Sequence, residues 1–388
     1  MCAVGRQCAI ETRHDDLPVP AEELELQQPV ARRQPTEREM RVDDRNINLL
    51  DLLERNLTAE NHFQLVAVTV LHMVRCREFT EYNHKRYLTV HTRFCRFNIG
   101  LFDLDKESTI QRGPSSTTIN ESNVWSLNDS INVISVNVVE SDVDYPINIY
   151  GTVLARDECD YRCVYLFKRS RDDPQLISSP DDTLTLTGPY RALTVTDSMF
   201  FEFHLKIKCD GEVDKDFSKG LLEHMAVRYR RQPMILSLAS RLSTVDIVYT
   251  PVLFAAEASL EALILKGTSN FTGKVTAWTS GNDKNKIVLY DNAVACSQKN
   301  LGNDGSVPLT RRIVAVPVDE YLVLDVFVSE GDHGANSLQL ILGNEEEECS
   351  VTQGPYELQV KIIWTAVTRR HPTKMWQKIE DDRVLCSE

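Results

Sequence analysis

The stretch "LTLTGPYRALTVTDSMFFEFHLKI", Leu184–Ile207, ends in strict alternation: Phe201, Phe203, Leu205 and Ile207 against Glu202, His204 and Lys206. Period two places the first set on one face of an extended strand and the second on the other, as in a half-buried β-strand. Gly188-Pro189 supplies a turn ahead of it. The arrangement returns as "VPLTRRIVAVPVDEYLVLDVFV", Val307–Val328. Laid ungapped with Arg191 on Arg312, Leu193 and Val195 fall on Val314 and Val316, and the four inward residues fall on Leu322, Leu324, Val326 and Val328. Upstream, "NIYGTVLA" lies on "NFTGKVTA", with Gly151 on Gly273, Val153 on Val275 and Ala155 on Ala277. The Gly-to-Arg spacings are 40 and 39 residues, and each interval holds an aromatic-ended strand, "VYLF" or "IVLY". A shared inward set at a shared spacing predicts an internal duplication.

The same period runs outward from these blocks. In "INVISVNVV", Ile134, Val136 and Val138 share a face, and in "INIYGTVLAR" Ile147, Ile149, Gly151, Val153 and Ala155 do so. Turn-forming clusters separate the strands: "ESDVDYP", "RDECD", "RSRDDP", "SSPDD" and "TGP". No long helical pattern intervenes, which disfavours βαβ construction. The predicted class is mostly β, with antiparallel β-sandwich units forming a duplicated pair packed together.

A short helical N-terminal segment begins near Thr58, where Phe63, Val66, Val70, Met73 and Val74 stand near helical spacing. "RFCRFNIGLFDLDKESTIQRGPSS" follows, predicted as a short strand running into a turn-rich connection. The expected organisation is a disordered charged tail (1–55), a helix-plus-strand lead-in (56–125), a first sandwich unit (126–214), a connector (215–242), a second unit (243–368) closed by "YELQVKIIWTAV", and a polar tail (369–388).

Composition narrows the function classes. The 388 residues carry a formal net charge of −14, which argues against a general nucleic-acid or anionic-membrane binder, because phosphate recognition needs a basic face. The basic run Arg228–Arg231 and the acidic "NEEEEC" at 344–349 read as solvated segments. The N-terminus is too polar for a secretory signal, and Phe63–Val74 is too short to span a bilayer. The expectation is a soluble cytoplasmic chain, with a nuclear one left open. Its ten cysteines would then be thiols, and its four Asn-x-Ser/Thr sequons carry no weight.

"FNIGLFDLDKESTIQRGP", "INVISVNVVESDVDYPINIYGTVLARD", "VYLFKRSRDDPQLI", "LTLTGPYRAL" and "LSTVDIVY" resemble the signature runs of a grass-enriched plant family, domain of unknown function 6598. The resemblance covers roughly residues 94 to 368. It brings no activity and no catalytic residue. Some cereal relatives join this domain to a ribosome-inactivating N-glycosidase, so the resemblance implies a stress or defence setting. N-glycosidase chemistry itself resembles a Glu-x-x-Arg pair on a buried helix. The Glu-x-x-Arg of this chain, Glu380 to Arg383, lies in a charged tail, and the activity is rejected.

No nucleophile elbow, phosphate loop or His-Glu-x-x-His motif is present. Cys159 and Cys163 lack a second pair at zinc-ribbon spacing, and His84, His91 and Cys95 read as surface or packing residues. One constellation points to a metal. A meander in the first unit sets "ESDVDYP" beside "RSRDDPQLISSPDD", so Asp142, Asp144, Asp172, Asp173, Asp181 and Asp182 would form a carboxylate-rich pole. Calcium takes six to eight oxygens, and such loops suit it, distantly as in C2 domains. Against this stand the turn chemistry of Asp and the nearby charges of Lys168, Arg169 and Arg171. Gly151, Gly188 and Gly273 are read as turn or strand geometry, and Arg191 and Arg312 as structural braces. The reading favours a non-enzyme without cofactor, acting through an unidentified protein partner. The alternatives are a calcium-dependent C2-like lipid- or ligand-binding module and a hydrolase assembled from scattered loop residues.

Overall fold

A computed structural model describes residues 59–95, 102–116, 119, 124–180, 182–195, 198–209, 211, 213–225, 232–266, 271–294, 301–302, 304–329, 335–353 and 356–368. The expected tails, the Arg228–Arg231 run, Asp181 and Glu380–Arg383 lie outside these residues. Helix α1 (Ala59–Glu78) is followed by a hairpin of β1 (Thr80–Asn83) and β2 (Leu88–His91). Tyr87 closes its turn at φ 54°, in the left-handed region. The short strand expected in "RFCRFNIG" falls largely on residues 96–100, outside the described residues, and Thr92 to Cys95 are irregular. The apolar stripe of α1 is only partly used: Val70, Leu71 and Val74 are exposed.

The first sandwich consists of β3 (Ser130–Ser141), β4 (Ile147–Arg156), β5 (Val164–Arg169), β6 (Gln175–Ile177), β7 (Leu193–Thr194), β8 (Ser198–Ile207), β9 (Lys215–Met225), β10 (Met234–Ala239) and β11 (Ser243–Val252). One sheet runs β10-β11-β3-β7; the other runs β5-β4-β8-β9, with β6 also paired to β4. The second sandwich consists of β12 (Ala255–Lys266), β13 (Gly273–Thr279), β14 (Ile287–Asp291), β15 (Ile313–Pro317), β16 (Leu322–Ser329), β17 (Ala335–Leu342), β18 (Glu348–Gln353) and β19 (Tyr356–Ala366). Its sheets run β18-β19-β12-β15 and β14-β13-β16-β17. Replacing β3, β4, β5, β7, β8, β9, β10 and β11 by β12 to β19 in order reproduces both sheets of the first unit. Every ladder is antiparallel. The fold is a duplicated pair of β-sandwiches.

This topology corrects the expected boundaries. The anticipated connector, 215–242, contains β9 and β10, which complete the two sheets of the first unit. β11 pairs with β3 and so belongs there as well, leaving Leu253 and Phe254 as the whole link to β12. β9 escaped notice because charged residues interrupt its period, although Phe217 and Leu222 enter the core.

Each core forms where the alternating faces meet. Phe201, Phe203 and Leu205 pack with Ile149, Val153, Val136 and Val245 in the first unit. Leu322, Leu324 and Val326 pack with Val275, Ala277, Val314 and Trp364 in the second. Fully burying one such side chain contributes about 1.5–3 kcal/mol. Ile134 is an exception to its predicted face. The β3–β11 register skips it, passing from Ser135↔Val248 to Val133↔Tyr249. That bulge reverses the phase, so Ile131 and Val133 join Val136 in the first core while Ile134 packs against the second.

The sandwiches meet through Ala192, Val252, Ala255, Ile313, Ala315 and Val367, where the three alanines let backbones approach. Asn132 on β3 bonds Ala315 of β15 twice, donating to its carbonyl at 2.7 Å and accepting from its amide at 2.9 Å. Arg311 donates to the Val133 carbonyl at 2.6 Å.

Both predicted strand glycines stand where backbones nearly touch. A Cβ on Gly151 would lie 2.1 Å from the His204 carbonyl oxygen, and one on Gly273 would lie 2.1 Å from that of Phe327. Gly188 is equally tight, 2.0 Å from the Tyr165 oxygen. The pairing sets Gly151 opposite Leu205 and Gly273 opposite Val328, whereas the ungapped alignment sets Val328 on Ile207. The glycine and arginine anchors are thus two residues out of step, which preserves the inward face because the strand period is two. Gly151 also has φ +115°. Gly151→Ala should therefore cost at least about 2 kcal/mol in urea unfolding. Gly211→Ala, with φ +77° but nothing within 4 Å, should cost less.

Candidate functional site

The two units differ at one equivalent end, formed by the β4–β5 turn in the first and the β13–β14 turn in the second. In the first unit this end is closed by the lead-in segment. The Leu104 carbonyl accepts from Arg156 Nη2 at 2.8 Å, the Lys106 carbonyl accepts from the Cys163 amide at 3.1 Å, and the Ser108 amide donates to the Cys163 carbonyl at 2.9 Å. Phe102 and Leu104 pack with Phe94, Tyr161 and Phe200 into a separate aromatic cluster.

Two buried ion networks hold this closure. Arg156 donates from Nε to Glu202 at 2.9 Å, and Arg93 donates to the same carboxylate at 2.8 Å. Burial would raise the Glu202 pKa, but the charges of Arg156 and Arg93 outweigh it and hold the carboxyl below its ordinary value. Glu202 does face away from the core as its strand position predicts, yet it is only 4% exposed because the lead-in covers it. In the second network, Arg191 donates to both Asp157 oxygens at 2.5 and 3.0 Å and to Ser108 Oγ at 3.2 Å. Burial alone would lower the Arg191 pKa, and the Asp157 charge reverses that shift and raises it. The adjacent Ala192 amide donates to Glu257 of β12 at 2.7 Å.

The expected second brace does not match the first. Arg312 is exposed; the buried guanidinium is that of Arg311, which contacts β3 of the other unit rather than a loop of its own. Burial lowers the Arg311 pKa to about 10. The two arginines are adjacent, so sequence alignment alone chose the wrong one.

In the second unit the equivalent end is an open groove of about 280 Å³. Leu253, Phe254, Trp278, Ile287 and Pro317 give it an apolar lining, and Asn282, Asn285, Asp319 and Glu320 are among its polar groups. The Gly281 amide donates to Glu320 Oε2 at 3.0 Å, and Asn285 donates to Asn282 at 2.6 Å, so the turns forming the walls are tied. Lys286 lies 4.2 Å above the Trp278 ring. Trp125, 77% exposed, meets Phe254 edge-on at 5.4 Å. Phe254 itself has φ 45°, a strained conformation for a bulky residue, fixed by its amide bond to Asp129 at 3.1 Å and by its carbonyl accepting from Val318 at 3.2 Å. Sequence reading missed the groove, since its walls come from turns far apart in the chain.

Away from that end of the first unit, Asp142 and Asp144 lie in the turn that leads into β4, whereas Asp172 and Asp173 lie in the loop between β5 and β6, beside Tyr150 of β4. The carboxylates do not converge. Asp142 pairs with Lys85 at 3.0 Å and Asp173 with Arg169 at 2.9 Å, while Asp182 caps Ser178 and Ser179. Asp144 and Asp172 are exposed. Arg171 instead binds Asp214 at 2.6 Å, and that carboxyl is held below its ordinary range by hydrogen bonds from Arg171, Cys209 and Tyr150. Among the described residues, no group of three or more His, Cys, Asp or Glu is arranged to hold a metal ion. No described helix is long and apolar enough to cross a membrane.

The family described as "Domain of unknown function (DUF6598)" matches residues 130–362, from the first residue of β3 into β19. The chain belongs to the DUF6598 family. The match spans both sandwiches, so the DUF6598 region here is the pair rather than one unit. No curated protein matches the chain in sequence. Among solved structures, "Extended-Synaptotagmin 2, C2A- and C2B-domains" is similar at 9% identity and TM-score 0.22, covering 68% of this chain and 97% of that one. "Human GIVD cytosolic phospholipase A2" is similar at 8% identity and TM-score 0.19, covering 61% of this chain and 32% of that one. At such TM-scores neither likeness bears on function.

Two outcomes follow from the charges. Glu202 has a depressed folded-state pKa, so its contribution is present above the unfolded value of 4.5 and is lost as pH falls through the lower folded value. Glu202→Gln should cost about 3 kcal/mol near neutral pH, by stranding Arg156 and Arg93. Denaturation curves across pH should show that gap narrowing below about 4.5. Because Asp142 and Asp173 are already paired, millimolar calcium should move the melting temperature by less than about 1 °C.

Proposed function

We propose that this DUF6598 chain is a non-catalytic binding module that seats an extended, partly apolar segment of a partner protein in the groove of its second sandwich. One observation carries the reading: residues 102–110 already lie along the equivalent end of the first unit. There the chain bonds Cys163, at the entry to β5, through backbone groups and fills the aromatic cluster with Phe102 and Leu104. The matching end of the second unit offers an apolar lining with amide side chains able to bond a peptide backbone. On this reading the buried carboxylates Glu202, Asp157 and Glu257 are structural, since arginines and backbone amides engage them. The stress or defence setting implied by plant relatives belongs to this same proposal.

A second reading, a C2-like lipid- or ligand-binding module, is favoured by the joining of the 170–174 loop to the turn before β9, where Arg171 bonds Asp214 at 2.6 Å. A calcium-dependent rise in melting temperature would select it.

Peptides selected from a random display library against the full chain test the groove directly. Leu253→Asp and Asn285→Arg should each weaken them at least about tenfold, about 1.4 kcal/mol, without changing the melting temperature. Selected peptides indifferent to both substitutions would refute the proposal. So would displacement from a groove already occupied by residues 369–388, seen if deleting that segment alone creates the binding.

A further inference from the structure

A second cavity, of about 620 Å³, opens where the β1–β2 hairpin meets the first sandwich. Glu81, Lys215, Asp216, Lys219, Ser240 and Arg241 supply its polar lining. The segments that carry these residues are stitched to one another. Ser240 Oγ accepts from the Lys219 amide at 3.0 Å and donates to the Lys219 carbonyl at 3.2 Å. Ser243 Oγ donates to the Phe217 carbonyl at 2.6 Å. The hairpin is tied to the same region by Asn83, which donates to the Ala239 carbonyl at 2.6 Å, and by Glu81, which pairs with Lys219.

The three cations are unequally matched. Lys219 has Glu81 and, at 3.8 Å, Asp216, which also lies 3.7 Å from Lys206. Among the described residues, no carboxylate pairs with Lys215 or Arg241. Three like charges gathered at one cavity, two of them without a counter-ion, stand out on a chain whose net charge is −14. The fold does not call for them. In the second unit the matching places belong to β17 and to residues 354–355, between β18 and β19, and these hold no charged residue.

We propose that this cavity binds a free sugar phosphate, with Arg241, Lys215 and Lys219 on the phosphate and Glu81 and Asp216 on the hydroxyl groups. A guanidinium presents paired N–H donors that match two phosphate oxygens, and lysines add point charges. Carboxylates accept from hydroxyl groups, which inorganic phosphate at neutral pH offers poorly and a sugar offers in plenty. The volume falls within the span of small-molecule pockets, about 300–1,000 Å³, and leaves room for a sugar ring beside the phosphate. A free ligand suits the site better than a lipid headgroup, because the net charge of −14 opposes approach to an anionic bilayer. The site is separate from the groove of the second sandwich and shares no lining residue with it.

The test is an NMR titration of the full chain with glucose 6-phosphate at low ionic strength, set against glucose, inorganic phosphate and sulfate. Glucose 6-phosphate should shift the amides of Lys215, Lys219 and Arg241 saturably, and glucose should not. Inorganic phosphate should bind at least about tenfold more weakly, since it leaves the carboxylates without hydroxyl partners. Arg241→Gln should weaken glucose 6-phosphate by about tenfold or more. Lys106→Gln, the same change of charge on an exposed lysine outside the cavity, should leave it unaltered. Melting temperatures check that both variants fold, and the titration of the unsubstituted chain stands without them. Amides at the cavity that do not respond, sulfate or inorganic phosphate binding as tightly as the sugar phosphate, or equal losses in the two variants would each overturn the proposal. So would a chain that sediments with phosphatidylcholine vesicles containing phosphatidylinositol 4-phosphate yet ignores glucose 6-phosphate, because the phosphate would then belong to a lipid headgroup.

Discussion

The bidentate pair of Arg191 and Asp157 is the point on which three parts of the chain converge. Asp157 ends the β4 edge, Arg191 leads into β7, and Ser108 brings the lead-in to the same guanidinium. The next residue, Ala192, hands its amide to Glu257 on the second sandwich. Two charges taken out of water repay their desolvation only when geometry is good and the remaining lone pairs are satisfied. Here Asp157 also accepts from the Thr194 amide at 2.9 Å. Removing either partner would strand the other in a place sealed by the rest of the fold, so the pair fixes relative position rather than adding stability alone.

Duplication explains the architecture and also the asymmetry. Two units with the same strand order present the same faces and the same ends, yet a chain has one lead-in. Among the described residues, 102–110 cover that end of the first unit, whereas the equivalent end of the second is met by Val124 and Trp125. Arg156 and Glu202 are paired at the covered end, and Trp278 at the other is shielded by Lys286 and the flanking turns. The interface between the units is strongly specified, because Asn132 satisfies both backbone groups of Ala315.

Alternation made most strands legible, since period two is imposed by the backbone and survives divergence of the side chains. What failed were departures from strict period. The bulge at Ile134 reversed a face without any composition signal. The charges in "KDFSKGLLEHM" disguised β9, because one of its faces is solvated beside the β1–β2 hairpin, where Lys219 pairs with Glu81. The site was much less legible than the fold. Arg191 stood out as a brace, but its partner Asp157 lay in a turn cluster that reads as solvent-exposed. The aspartates do lie in turns, but nothing in the sequence revealed that Lys85, from a distant hairpin, would take up Asp142.

Charge and shape divide the work of recognition in the proposed groove. Asp319 and Glu320 stand at the groove, and the whole chain carries −14. Exposed charges of that kind act over about a Debye length, roughly 8 Å at physiological salt, and so speed encounter with a basic segment more than they hold it. Retention falls to the apolar lining and to the fixed amides of Asn282 and Asn285, whose mutual bond pre-orders the wall. Phe254 matters most in this respect. Its left-handed backbone is held from both sides by Asp129 and Val318, so the strain of presenting its ring is met during folding rather than on binding. A groove prepared in this way discriminates by fit, because a segment that cannot reach the amides leaves them unpaired beside an apolar wall.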